Sequence, residues 1–196
     1  MGVLAMLACT SCKGSTDNAS ASAPSTRTAS ASPSAAHTSP KPKPSLQAPP
    51  ATVDAACPLL PVGDLRRLLG GSSSSQVVAT EDHSEKPNGN VISHQCRYSK
   101  PGAASSAFAL NVETHAHPVL SPAQVIASVA KGASAPAHPV SGVGQAATFY
   151  TQSDGLSVMA AAKRSASQVR IVVFAAPTIV PEQKFIDVEK LTLSRI

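Results

Sequence analysis

From residue 52 onward, the apolar positions fall into short runs of two kinds. Val62, Leu65, Leu68 and Leu69 recur at helical spacing, with Arg66 and Arg67 on the outer side. Pro61 suits the first turn of that helix and Gly70-Gly71 supplies its stop. After a Ser-rich turn, Gln76-Val77-Val78-Ala79 reads as a short strand, and Glu81 to Asn90 as a polar connection ending in a turn. Val91 to Tyr98 reads as a strand with Ile92, His94, Cys96 and Tyr98 on one face. Phe108, Leu110 and Val112 alternate with Ala109, Asn111 and Glu113, the pattern of a strand with one buried face.

Ser121 then caps a helix with Pro122 at its first position, Val125, Ile126, Val129 and Ala130 on its apolar side, and Gly132 at its end. Ala133 to Ser141 is expected to be a loop. Three strands follow as a meander, at Ala146 to Thr151, Leu156 to Lys163 and Gln168 to Ala175. The last carries the most hydrophobic run of the chain and belongs in the middle of the sheet, because a strand covered on both faces needs no polar alternation. Pro181 opens a final helix with Phe185, Ile186, Val188, Leu193 and Ile196 inward; Glu189 falls in the same arc, and Leu191-Thr192-Leu193 is the alternative as a short last strand. The expected fold is α+β: an antiparallel sheet of five or six strands packed by an N-terminal, a middle and a C-terminal helix.

The first 51 residues read differently. Residues 13–51 are almost entirely Ser, Ala, Thr, Pro, Lys and Asn, with no large apolar side chain before Leu46. Such a segment buries too little surface to offset its ordering entropy, so it is expected to be a disordered tether. As a coil it spans roughly 35 Å, and stretched roughly 120 Å. Residues 1–12 look like the end of a signal peptide. Met6-Leu7-Ala8-Cys9 fits a relaxed lipobox, which makes Cys9 the expected lipidation site and Cys12 the alternative. No Lys or Arg precedes Cys9 and the apolar run is short, so the start codon is expected to lie upstream of Met1. The competing reading of Cys9-Thr10-Ser11-Cys12 is a redox or metal pair, but no second ligand pair matches it. The expected body is a single extracytoplasmic domain over residues 52–196.

Composition narrows the partners. Charged residues are only 14% of the 196, and the net charge is +5. Lys13, Arg27, Lys41 and Lys43 face only Asp17 in the tether, so three of the five surplus charges lie outside the domain. The domain has no clustered basic face, no Trp and few aromatics for base stacking, so nucleic acid is not an expected partner. In an exported domain, Cys57 and Cys96 favour a disulfide. The alternative is a pair of free thiols with His94 as a zinc ligand, although the close ligand spacing of zinc sites is missing.

Chemical motifs are sparse. Gly142-Val143-Gly144-Gln145-Ala146-Ala147 matches the glycine pattern of dinucleotide folds, but β-type residues follow it where a helix is required, so it reads as a turn into a strand. Glu113, His115 and His117 would share one strand face, a weak metal candidate weighed against a solvated strand end at Pro118. No nucleophile elbow frames a Ser, and Asp64, Asp154 and Asp187 read as helix-start, turn and exposed-helix residues. Lys163-Arg164 and Arg170 suggest a small basic spot on the meander. No cofactor is expected.

Cys57-Pro58-Leu59-Leu60, Leu68-Leu69-Gly70 and Cys96-Arg97-Tyr98 together resemble small secreted lipoproteins of actinomycetes that share a domain of unknown function. The resemblance covers most of residues 54–196 and implies a disulfide-linked α+β domain on a lipid anchor, with no catalytic residue. The expected function is non-catalytic binding or accessory work on the outer face of the cytoplasmic membrane, reached through the anchor, with an envelope protein as a partner. The alternative is a carrier of a small hydrophobic ligand in a cavity lined by Phe108, Phe149 and Phe174. An envelope hydrolase ranks third and requires a cleft where a His and a carboxylate meet.

Overall fold

The apolar run Val169 to Phe174 lies at the centre of a seven-stranded antiparallel sheet. This is seen in a computed structural model that describes residues 52–71, 74, 76–82, 89–133 and 135–196. Cys9, Cys12 and the tether expected at 13–51 lie outside those residues.

The strands are β1 (Val78–Asp82), β2 (Val91–Ser99), β3 (Phe108–Ala116), β4 (His138–Pro139), β5 (Ala146–Thr151), β6 (Leu156–Ser165) and β7 (Gln168–Pro177). Their order is β1-β2-β3-β7-β6-β5-β4, with every neighbouring pair antiparallel. Strand β7 therefore has three strands on each side, and Val169 to Val172 are all buried.

The register sorts side chains onto two faces. On the first, Cys96, Leu110, Phe174, Met159 and Phe149 form one row across β2, β3, β7, β6 and β5. Val112, Val172 and Ala161 form the next. Helix α3 (Glu182–Ser194) lies over β6 and β7, adding Phe185, Val188 and Leu193 to this core. Helix α1 (Val62–Leu69) leans on α3 and contributes Leu65. Lys163 Nζ donates to the carbonyls of Leu193 and Ile196 at 3.2 and 3.0 Å, setting a cation at the negative end of α3.

The second face is covered over one half only. Helix α2 (Pro122–Lys131) sets Val125 and Ile126 on Ala160, Ala162, Val169 and Ile171 of β6 and β7. It forms where the sequence predicts, with a reciprocal capping box between Ser121 and Gln124 and Pro122 in the first turn. The other half, on β1, β2 and β3, carries Asp82, Ser93, Gln95, Arg97, Asn111 and Glu113 with no helix over it among the described residues.

Several expectations need correction. The sheet has seven strands rather than five or six, because the expected loop at 133–141 contributes the two-residue β4. A short strand holding Pro139 is tolerated there because it sits at the edge, where no partner needs the missing N–H. Strand β1 begins at Val78 and runs on to Asp82, which turns Glu81 from a loop residue into a strand residue. Leu191 to Leu193 belong to α3, not to a last strand. The half-cystine Cys57 sits in a single 3-10 turn (Cys57–Leu59) just ahead of α1.

Two positions show what the chain gives up for this packing. Glu189 is fully buried in α3, with neither carboxyl oxygen hydrogen-bonded in ordinary geometry among the described residues. Burial pushes its carboxyl well above the usual range, against the smaller opposing effect of a backbone contact with Phe174, and so favours the neutral form. Gly144 has φ of +57°, and a Cβ there would stand 2.6 Å from the Ala162 carbonyl. The glycine pattern at 142–147 is thus a turn packed onto β6 and leading into β5, not a phosphate cradle.

Candidate functional site

The first face is locked by a cluster around the disulfide. Cys57 and Cys96 are bonded, with Cα atoms 4.9 Å apart. Glu81 is the cross-strand neighbour of Cys96, and its carboxylate accepts from the N–H groups of Ala56 and Cys57 at 2.6 and 2.7 Å. The Tyr98 hydroxyl donates to the Leu60 carbonyl at 2.6 Å. Burial, reinforced by the Glu81 charge, holds the Tyr98 phenol far above its ordinary value, so it remains a donor. Arg195 donates to Leu59 O at 2.8 Å and to Asp64 at 2.6 Å. Cys57, Glu81 and Cys96 converge as a metal-ligand trio would, but each sulfur is already bonded to the other. The zinc reading with His94 is excluded in this state for the same reason, and the cluster is structural.

The hydrophobic cavity expected behind the phenylalanines is filled. Phe108 stacks on Phe174 at 6.4 Å, and Phe185 meets Phe174 and Phe149 edge-on at 5.5 and 5.2 Å. Two concavities lie instead on the second face, one on each side of α2.

The first is a cleft of 270 Å³ between the end of β3, the 117–120 loop and α2. His115, His117, Leu120, Val125 and Ser128 line it, and Val119 at its rim is 97% exposed. Strand alternation puts Glu113 and His115 on the same face of β3, where Glu113 Oε2 lies 3.2 Å from His115 Nε2. Asn111 Nδ2 donates to the other Glu113 oxygen at 3.3 Å, and Ser93 Oγ donates to Asn111 Oδ1 at 2.8 Å. A polar chain thus runs from β2 along β3 to the cleft. His117 lies one residue past the strand, at φ of +52°, and its N–H donates to Ser167 O. It lines the cleft with His115, although Glu113, His115 and His117 do not form a closed ligand trio as folded. The strand reaches Ala116, so only the third member of the sequence candidate leaves the shared face. The Ser128 hydroxyl donates to Val125 O at 2.7 Å, within its own helix.

The second concavity is an open groove of 390 Å³ between α2 and β4–β5. Ala123, Ile126, Ala127 and Ala130 form one wall, and Ala137, Pro139, Val140, Ala146 and Ala147 the other. Its one polar side chain, Thr148, already donates to the His138 carbonyl at 3.2 Å. No side chain in the lining carries a charge, and the volume falls in the range of small-molecule sites.

The remaining candidates have local roles. Asp64 pairs with Arg67 and Arg195, whose hydrogen bonds hold its carboxyl below the usual range. Asp154 accepts from Leu156 N in its turn, and Asp187 accepts from Gln183 on α3. The basic spot does not assemble: Lys163 and Arg170 face the first side, while Arg164 faces the second and donates to Leu120 O. Reasoning from the sequence missed Glu81 and the groove. The groove's signal, alanines at helical spacing at 123, 127 and 130, is indistinguishable in sequence from ordinary helix propensity.

The chain matches no known protein family, no curated protein and no solved structure. No described helix is long and apolar enough to cross a membrane.

Proposed function

We propose that this chain is a lipid-anchored, extracytoplasmic binding module of the cell envelope, a member of the actinomycete lipoproteins it resembles. Its site is the groove between α2 and β4–β5, and its ligand is a small apolar molecule. The observation that carries this reading is the lining: aliphatic walls, one satisfied hydroxyl and no charge. A ligand that fits makes no demand for hydrogen bonds and gains by leaving water. The compartment is supported by the Cys57–Cys96 disulfide, since such bonds persist outside reducing cytoplasm. The anchor is supported by the lipobox pattern at Cys9 and the tether composition.

The groove is tested with an environment-sensitive apolar dye, N-phenyl-1-naphthylamine. Wild-type protein is expected to enhance its fluorescence saturably, and Ala127→Trp to abolish the enhancement with no fall in Tm. Enhancement that survives Ala127→Trp contradicts the site. The anchor is tested separately by labelling cells with a palmitate analogue: incorporation is expected in the wild type and absent in Cys9→Ala. The hydrolase reading gains a His and a carboxylate that meet at a cleft, but Ser128 is turned into its own helix and supplies no nucleophile to His115.

A further inference from the structure

The cleft on the opposite side of α2 carries a chemistry that the apolar groove does not use. We propose that Glu113, His115 and His117 bind one divalent transition-metal ion, of the zinc or cobalt class, with a coordination position left open toward the cleft. The inference is independent of the apolar-ligand reading.

Three observations carry it. First, Glu113 Oε2 and His115 Nε2 stand 3.2 Å apart. Two ligands on a tetrahedral zinc, each about 2.0–2.1 Å from the metal, lie about 3.3 Å from one another. The pair is therefore spaced as two corners of such a site, and the ion takes the place of the hydrogen bond between them, with His115 ligating through Nε2 as the neutral tautomer that carries its proton on Nδ1. Second, the carboxylate is held from behind. Asn111 donates to the Glu113 oxygen that does not face His115, and Ser93 in turn fixes Asn111. Supporting hydrogen bonds of this kind orient metal-binding carboxylates. Third, His117 lines the same cleft as His115 with its side chain exposed; metal binding requires that imidazole to swing in from its present position, where the three groups do not yet converge. Two imidazoles and one carboxylate favour zinc-like ions over calcium or magnesium, which take all-oxygen shells. The cleft beside the set, lined by Val125 and Leu120, leaves room for water or a ligand oxygen at the fourth position.

A built-in control exists. His138 also pairs with a glutamate, Glu182, at 3.1 Å, but on an exposed edge strand with no further hydrogen bond to either side chain among those described. If any histidine–glutamate pair sufficed, that pair would bind equally well.

The test is a Co²⁺ titration of the full-length chain with its disulfide intact, read by visible absorption and by displacement with Zn²⁺. One equivalent is expected, with bands of low-symmetry four- or five-coordinate cobalt. His115→Ala and His117→Ala are each expected to weaken binding at least tenfold. Asn111→Ala, which removes no ligand, is expected to weaken it about tenfold to a hundredfold. His138→Ala should change nothing. His117 lies outside the strand, so its replacement keeps the test open even if His115→Ala folds poorly. No stoichiometric binding below about 100 μM, or binding unaltered in His117→Ala, overturns the proposal; loss of binding in His138→Ala relocates the metal to the edge pair and overturns it too.

Discussion

The two faces of this sheet are packed by opposite means. On the first, large side chains interlock: Phe108, Phe174, Phe185 and Phe149 meet ring against ring, and the leading segment is pinned by the disulfide, Glu81, Tyr98 and Arg195. On the second, α2 rests through Val125, Ile126 and Val129 on a floor that is partly alanine, and a concavity opens along each flank. Small side chains leave space and large ones remove it. The same strands therefore present one face that gives the domain its cohesion and one that can receive a ligand.

The comparison breaks most sharply at the disulfide. Replacing Cys57 and Cys96 together by Ser removes a loop closure of about 40 residues and is expected to cost about 4 kcal/mol in the chain-entropy treatment, read as a shift in the urea midpoint. Glu81→Ala should follow at about 3 kcal/mol, since it strips a charged acceptor from two backbone N–H groups at once. On the other face, Ile126→Ala is expected to cost about 2 kcal/mol, the low end for such a truncation, because a helix flanked by open space can settle into the gap. A loss at Ile126 larger than at Glu81 would reverse the ranking of the two faces.

One further effect has the opposite sign. Burial favours the neutral form of Glu189 in the fold, whereas the unfolded chain lets it ionise freely. Its raised folded pKa means that its contribution is intact below the unfolded carboxyl value, near 4.3, and is lost as pH rises toward the folded value. Glu189→Gln is therefore expected to gain stability relative to the wild type as pH rises from 5 to 8, and to flatten the pH profile above 5. Asp64 runs the other way: its lowered pKa stabilises above about 3.9 and is lost only in acid, so it does not mask the effect.

What the sequence made legible follows from which interactions are local. Alternation placed β2, β3 and their faces, the hydrophobic run Val169 to Phe174, broken only by Arg170, placed β7 at the centre, and the Ser121 cap with Pro122 after it fixed α2. The pairing of Glu113 with His115 was legible too, because residues two apart on a strand share a face. The end of the strand before His117 was legible from Pro118; the positive φ of His117 at the turn was not. Glu81 was not legible because the N–H groups it holds lie 24 and 25 residues earlier. The two-residue β4 has no periodicity to show and contains a proline.

The difference in cohesion between the faces is tested most directly by hydrogen exchange on the oxidised protein, resolved by peptide. The account predicts that α2 amides at 124–131 open with a free energy well below that of β3, β7 and α3, which exchange together near the global limit. Protection of α2 equal to that of β7 would contradict it.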